Sequence, residues 1–412
     1  MGLRAQPCKP QGTPPLSSYP PALRAGQLAT RFRRMSDTPE FTWITTAAEL
    51  ASLGKRMQAA PWVAIDTESN SRFVYRERVC LLQVNIEDEL FLVDTLTLPA
   101  EPATLAALKP ALENPAQRLY LHGGEYDVAC CKRDYDLELR GIFDTQQAAS
   151  FLGIARTGYG ALVEEFCEVK LPKEHGLYDW ATRPIDPDAL RYALDDVHYL
   201  PMIAARLEEA VREADIEEEL AIANAGVEDV RAHQNDFDPA AMYRIKGIGQ
   251  LHQSKLGVMT ALYAWRDALA AELDQPPGRI IHNEALLGLA RNAPTNFNGL
   301  RKARLPGRVL REHGEALITV IKQATESPPA IPEPPARREV DPRERGREQA
   351  LKRWRRTEAE KRKLPLQVVL PARALEYFKK HGADDFDVVP HFGPKRAEHY
   401  GEAIRKVLAS KK

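Results

Sequence analysis

Between residues 40 and 215 the chain alternates short apolar runs with stretches of helical period. Trp62-Val63-Ala64-Ile65 is an apolar run that ends in charge, and Leu119-Tyr120-Leu121 is another. These runs predict strands near 62–66, 79–86, 90–94 and 118–122. Val79 to Val84 and Leu90 to Val93 are close enough in the chain for a hairpin. Apolar residues at helical spacing predict helices near 125–133, 145–152, 159–168 and 187–213. Alternation of this kind is the pattern of an α/β domain built on a mixed sheet.

Past residue 245 the pattern is helical throughout and repeats. Ala264-Trp265-Arg266 and Arg353-Trp354-Arg355 open two similar helices, and a leucine follows each tryptophan 21 positions later, at Leu286 and Leu375. His313-Gly314-Glu315-Ala316-Leu317 echoes Tyr400-Gly401-Glu402-Ala403-Ile404. Each copy has the length of a small helical bundle. The reading is a domain at 40–215, a bundle at 245–326, a Pro- and charge-rich linker at 327–347, and a second bundle at 348–412. Residues 1–36 hold no Asp or Glu and no apolar run long enough for a signal peptide, so they read as a disordered leader or upstream sequence ahead of a start at Met35.

Candidate chemistry sits in three separated segments of the α/β domain. Asp66 and Glu68 are two apart at the end of a predicted strand, so both carboxylates project from one face. Asp127 lies in the first turn of a helix after the turn His122-Gly123-Gly124. Tyr192 and Asp196 are four apart on a helix and share a face, while Asp195 is about 100° away and reads as supporting or solvated. Singly, each feature has a plainer explanation: a polar turn, an acid at a helix dipole, a core tyrosine. Together they fit phosphodiester hydrolysis, which needs clustered carboxylates to hold two cations such as Mg²⁺ or Mn²⁺. A tyrosine beside them can hold the attacking water.

The segments VAIDTES, YLHGGEYDV and YALDDVHYL resemble the three motifs of the DEDD superfamily of 3′→5′ exonucleases, in the subgroup with a tyrosine four residues before the last aspartate. Phe143-Asp144-Thr145-Gln146 is similar to the family's next strand-to-helix junction, and Asp179-Trp180 with Arg183-Pro184 to the D-W-x-x-R-P segment of ribonuclease D. The two helical repeats resemble HRDC domains. The resemblance implies a ribonuclease H-like mixed sheet followed by two all-α bundles. It implies Asp66, Glu68, Asp127 and Asp196 as ligands of two divalent ions, Mg²⁺ or Mn²⁺, with Tyr192 orienting water. It also implies a metal-dependent exoribonuclease that trims tRNA precursors and other structured RNAs to nucleoside 5′-monophosphates. Ser69 departs from it, standing where many members carry an aromatic. Asp144 reads as a helix cap.

Charge adds a division of labour. The whole chain is near neutral, but residues 37–239 carry 38 acids and 18 bases, 240–326 carry 7 and 12, and 340–412 carry 11 and 19. The basic modules would draw in a polyanion that the acidic domain repels. Candidate phosphate contacts are Lys173, Arg183, Lys302 and Arg304, with Arg308 beside them, and Lys395 with Arg396 after a Gly-Pro turn. Five cysteines without C-x-x-C spacing argue against zinc or a disulfide framework, and no apolar run spans a membrane; a cytoplasmic protein is the expectation. Nothing demands a dimer and a monomer is compatible with the sequence, which leaves the oligomeric state open. A DNA exonuclease of the same superfamily, or a non-catalytic nucleic-acid-binding scaffold, are the alternatives that these residues leave open.

Overall fold

The computed structural model describes residues 38–99, 101–172, 177–232, 236–335 and 341–409. The leader at 1–36 and Lys173 lie outside the described residues.

Six strands form one sheet in the order β1-β4-β3-β2-β5-β6. They are β1 (Phe41–Ile44), β2 (Trp62–Ser69), β3 (Val79–Ile86), β4 (Glu89–Val93), β5 (Arg118–Leu121) and β6 (Ile142–Asp144). The expected β3–β4 hairpin is present, and β2 pairs antiparallel with β3 and parallel with β5. One face is covered by α1 (Ala47–Ala59) and α3 (Glu125–Tyr135), with α2 (Lys109–Leu112) at their edge. Thr46 and Glu49 cap α1 reciprocally, which fixes where it starts. Leu50, Leu53 and Met57 of α1 then pack with Val63 and Ile65 of β2 and with Val128, Cys130 and Cys131 of α3.

The other face carries α4 (Thr145–Phe151), α5 (Tyr159–Cys167), α6 (Pro187–His198) and α7 (Leu200–Glu213), with α8 (Glu217–Glu228) beyond. The single helix expected at 187–213 is thus two. Pro201 has no N–H to continue the helical ladder but is well placed in a first turn, so α7 restarts there.

The helical half forms two bundles with separate cores. The first contains α9 (Leu256–Glu272), α10 (Pro277–Ile280), α11 (Asn283–Asn292), α12 (Phe297–Arg301) and α13 (Gly307–Glu326). The second contains α14 (Pro342–Arg362), α15 (Leu366–Val369), α16 (Ala372–His381) and α17 (Pro394–Ala409). α14 begins inside the segment read as linker, where Asp341 accepts from Arg343 N at 2.8 Å and caps it. The sequence repeat is a packing repeat. Trp265 lies edge-on to His313 at 6.5 Å, and Trp354 edge-on to Tyr400 at 5.8 Å. The following glycines, Gly314 and Gly401, seat Phe297 and Phe386 so closely that a Cβ would stand 2.7 and 2.9 Å from a ring carbon.

Both bundles dock on the α/β domain. The β2–β3 loop reaches the first: the Tyr75 hydroxyl donates to Asp267 at 2.7 Å and Arg279 covers the Phe73 ring at 4.6 Å. The second is held by Gln367, whose amide donates to Ser150 O at 2.8 Å, and by Lys395 N, which donates to Glu218 at 2.9 Å.

Candidate active site

Asp66 and Glu68 extend from β2 on the face that α6 covers. This helix comes close because its buried side is narrow: Ala189, Ala193, Leu194 and Val197 pack on Cys80, Leu81, Leu90 and Leu92 of the strands. Asp196, on the next turn, is thereby brought to the strand acids. Asp66, Glu68 and Asp196 each offer an oxygen within 4.8 Å of the others. Asp127 enters from the start of α3 and accepts from Thr67 N at 3.1 Å and from the Thr67 hydroxyl. Thr67, between the two strand acids, therefore ties the fourth carboxylate to the same strand.

The turn that delivers Asp127 is clamped by Asp144. This fully buried carboxylate accepts from Gly123 N and Gly124 N at 3.1 and 2.9 Å, and also from Gln146 N and Gln147 N at 2.8 and 3.0 Å. It caps α4 as expected and, beyond that, locks the β5–α3 turn. His122 bonds Thr145 through Nδ1 at 2.9 Å, a local role, and burial lowers its pKa to about 4. Asp195 is buried, and Arg191 donates Nε to both of its oxygens at 3.0 and 2.9 Å.

Electrostatics mark the cluster. Burial, then the carboxylates of Asp127, Asp196 and Glu68, hold the Asp66 carboxyl well above the usual range. Burial, then Asp196 and Asp127, do the same to Glu68. Burial leads in raising Asp127, to about 6. Acids that disfavour one another's charge at such close range are a set of hard oxygen donors, and these suit a divalent cation. The residues fit a metal centre.

Tyr192 and Asp196 open onto a cavity of about 710 Å³, also lined by Arg156, Tyr159, Lys170 and Asp195. Two residues missed in the sequence lie beside the acids. The Tyr159 hydroxyl donates to Asp195 O at 2.7 Å and so holds the turn that carries Asp196. Gln83 pairs with Asp66 across the β2–β3 ladder and is fully buried, and neither amide atom has a hydrogen-bond partner among the described residues. A polar residue inside a strand that is apolar apart from it and Asn85 was the available signal for Gln83. Ser69, which departs from the first motif, bonds the Tyr126 hydroxyl at 2.8 Å.

Comparison with known proteins places this geometry. The family described as 3′-5′ exonuclease matches residues 41–212, and the HRDC domain matches residues 255–321. A ribonuclease D of Granulibacter bethesdensis is 31% identical over 305 residues, covering 71% of this chain and 75% of its own. The chain belongs to the ribonuclease D family. Ribonuclease D of Pseudomonas paraeruginosa is 29% identical over 389 residues, 90% of this chain and 98% of its own. The solved Escherichia coli RNase D, an exoribonuclease involved in structured RNA processing, superposes with a TM-score of 0.67 at 26% identity over 90% of this chain and 99% of its own. The chain is thus a 3′–5′ exoribonuclease with the ribonuclease H-like sheet and an HRDC region, of a divalent-metal-dependent family acting on nucleic acid.

Within this fold the basic candidates divide. Arg183 is not a phosphate contact: its guanidinium grips Asp94 through two bonds of 2.7 Å and donates to the carbonyls of Trp180, Thr182 and Cys80. Arg396 is 1% exposed and donates to Val368 O and Phe392 O. Lys395 pairs with Asp215 at 2.8 Å and Glu219 at 3.6 Å on the α/β domain. These expectations are corrected: the second bundle uses this turn to dock, since acids of α8 and the residues before it offer partners that its own sequence does not reveal. Lys302 and Arg304 lie at the end of α12, where Lys302 is exposed and Arg304 is exposed.

Proposed function

We propose that Asp66, Glu68, Asp127 and Asp196 hold two divalent ions, Mg²⁺ or Mn²⁺, and that this ribonuclease D uses them to shorten tRNA precursors and other structured RNAs from the 3′ end. When bound, such ions supply an activated water and stabilise charge on the attacking and leaving oxygens. The chain's own residues do the rest. Thr67 and Asp144 fix Asp127, Tyr159 fixes the turn bearing Asp196, and Tyr192 hydrogen-bonds the attacking water from its place one turn before Asp196. Water attack on the terminal phosphodiester breaks the bond to the upstream 3′ oxygen, so nucleoside 5′-monophosphates leave one at a time. Lys302 and Arg304 meet RNA phosphates on the first bundle, and the second bundle is a further HRDC-like module. The protein works in the cytoplasm.

The observation that carries this reading is the close approach of Asp66, Glu68 and Asp196 in a chain of this family. Incubation with a tRNA bearing a 3′ extension, in Mg²⁺, Mn²⁺ or EDTA, tests it. Chromatography is expected to show 5′-monophosphates with either metal, none in EDTA, and a halt near the mature end. Release of 3′-monophosphates, or undiminished activity in EDTA, would contradict it.

A further inference from the structure

Tyrosine in a folded protein ordinarily buries its ring and leaves its hydroxyl toward water. Tyr126 departs from this pattern. It is 45% exposed, yet its hydroxyl is held by Ser69 Oγ at 2.8 Å and Glu77 at 2.7 Å. The clamp is itself braced: Glu77 pairs with Arg133, which also holds Asp134, and Asp134 accepts from Val79 N at 2.7 Å. Exposure of a large ring is unusual here. Among the described residues 38–172, Tyr126 is the one large apolar side chain that stands exposed.

Its place is informative. Tyr126 immediately precedes Asp127, and Ser69 immediately follows Glu68. The hydroxyl is therefore pinned beside the chain neighbours of two of the four carboxylates. A rigid, exposed aromatic face loses little entropy on stacking, and stacking on a base tolerates any sequence. An enzyme that removes successive nucleotides needs such a sequence-blind contact. We infer that the Tyr126 ring is a stacking platform for a nucleobase at the RNA 3′ end, preorganised by the Ser69–Tyr126–Glu77 clamp. This rests on the exonuclease reading of the neighbouring carboxylates.

The test pairs protein variants with RNA variants. Wild type, Tyr126→Ala, Tyr126→Trp and Tyr126→Phe are given RNA with a normal or an abasic 3′-terminal nucleotide, and melting temperatures check folding. On normal RNA, Tyr126→Ala is expected to raise KM about 10-fold, within the range that base–aromatic stacking spans. Tyr126→Trp should stay near wild type, and Tyr126→Phe should fall between, since it keeps the ring and loses the clamp. On abasic-ended RNA, wild type and Tyr126→Ala should be equal. An equal loss on both RNAs, or no loss on either, would overturn the platform. A second readout needs no catalysis: in EDTA, 2-aminopurine at the RNA 3′ end should be quenched on binding wild type and not on binding Tyr126→Ala. Equal quenching by both would overturn the inference. If wild type cuts neither RNA, it is the exonuclease reading that fails, and the quenching result still judges the stacking contact.

Discussion

Asp66 and Asp196 lie 130 positions apart in the chain and end with carboxylate oxygens within 4.8 Å of each other. At neutral pH their mutual repulsion costs stability that only a cation offsets. Asp66→Asn is therefore expected to lower kcat at least about 1,000-fold, the scale of losing a preorganised charged group, while raising the melting temperature of the metal-free protein. Kinetics and thermal melts in EDTA check both halves. Asp127 gives the pH dependence. Its folded pKa is raised from 3.8 to about 6, so between these values the folded state binds more protons than the unfolded one. Stability of the metal-free protein then falls as pH rises through this window, and excess Mg²⁺ should raise the melting temperature more at pH 8 than at pH 5. Gln83 separates site from scaffold. Gln83→Met removes a buried amide with no partner among the described residues, so it should stabilise the fold while slowing cleavage if that amide serves the Asp66 wall. A loss of both would assign it to the core alone.

Among the elements, those with a local signature are legible in the sequence. β2, the hairpin and the Tyr192–Asp196 helix face follow from runs and periods within ten residues. β1 and β6, of four and three residues, carry too short a pattern to stand out and take their conformation from pairing with β4 and β5. Partners far away in sequence are equally hidden. Arg183 meets Asp94 89 positions upstream, and Lys395 meets Asp215 180 positions upstream, so in the sequence both look like free cations beside a nuclease motif. Asp144 is legible as a cap but not as the clamp of the β5–α3 turn. Asp144→Ala should cost about 2–4 kcal/mol, from a lost cap and buried donors left unpaired, and should weaken metal binding because Asp127 loses its seat. Urea melts and Mn²⁺ titration would show it; an unchanged metal affinity would deny the clamp its role in the site.

Across the whole molecule, an acidic α/β domain is flanked by two basic bundles docked through Tyr75, Gln367 and Lys395. Lys302 and Arg304 stay exposed and are the cations proposed to attract RNA. Reversing both to Glu should raise KM and reduce the slope of log KM against log salt by about 1 for each phosphate no longer neutralised. An unaltered slope would move the RNA path elsewhere. Removal of nucleotides from an RNA 3′ end by one carboxylate cluster has a direct test. A 5′-labelled single-stranded RNA is incubated with wild type and with Asp66→Asn in Mg²⁺, alongside the same RNA carrying a 3′-phosphate block and a DNA of the same sequence. A ladder that shortens by single nucleotides from the 3′ end is expected on unblocked RNA, and none with Asp66→Asn. Internal cuts, or a ladder that survives in Asp66→Asn, would contradict it.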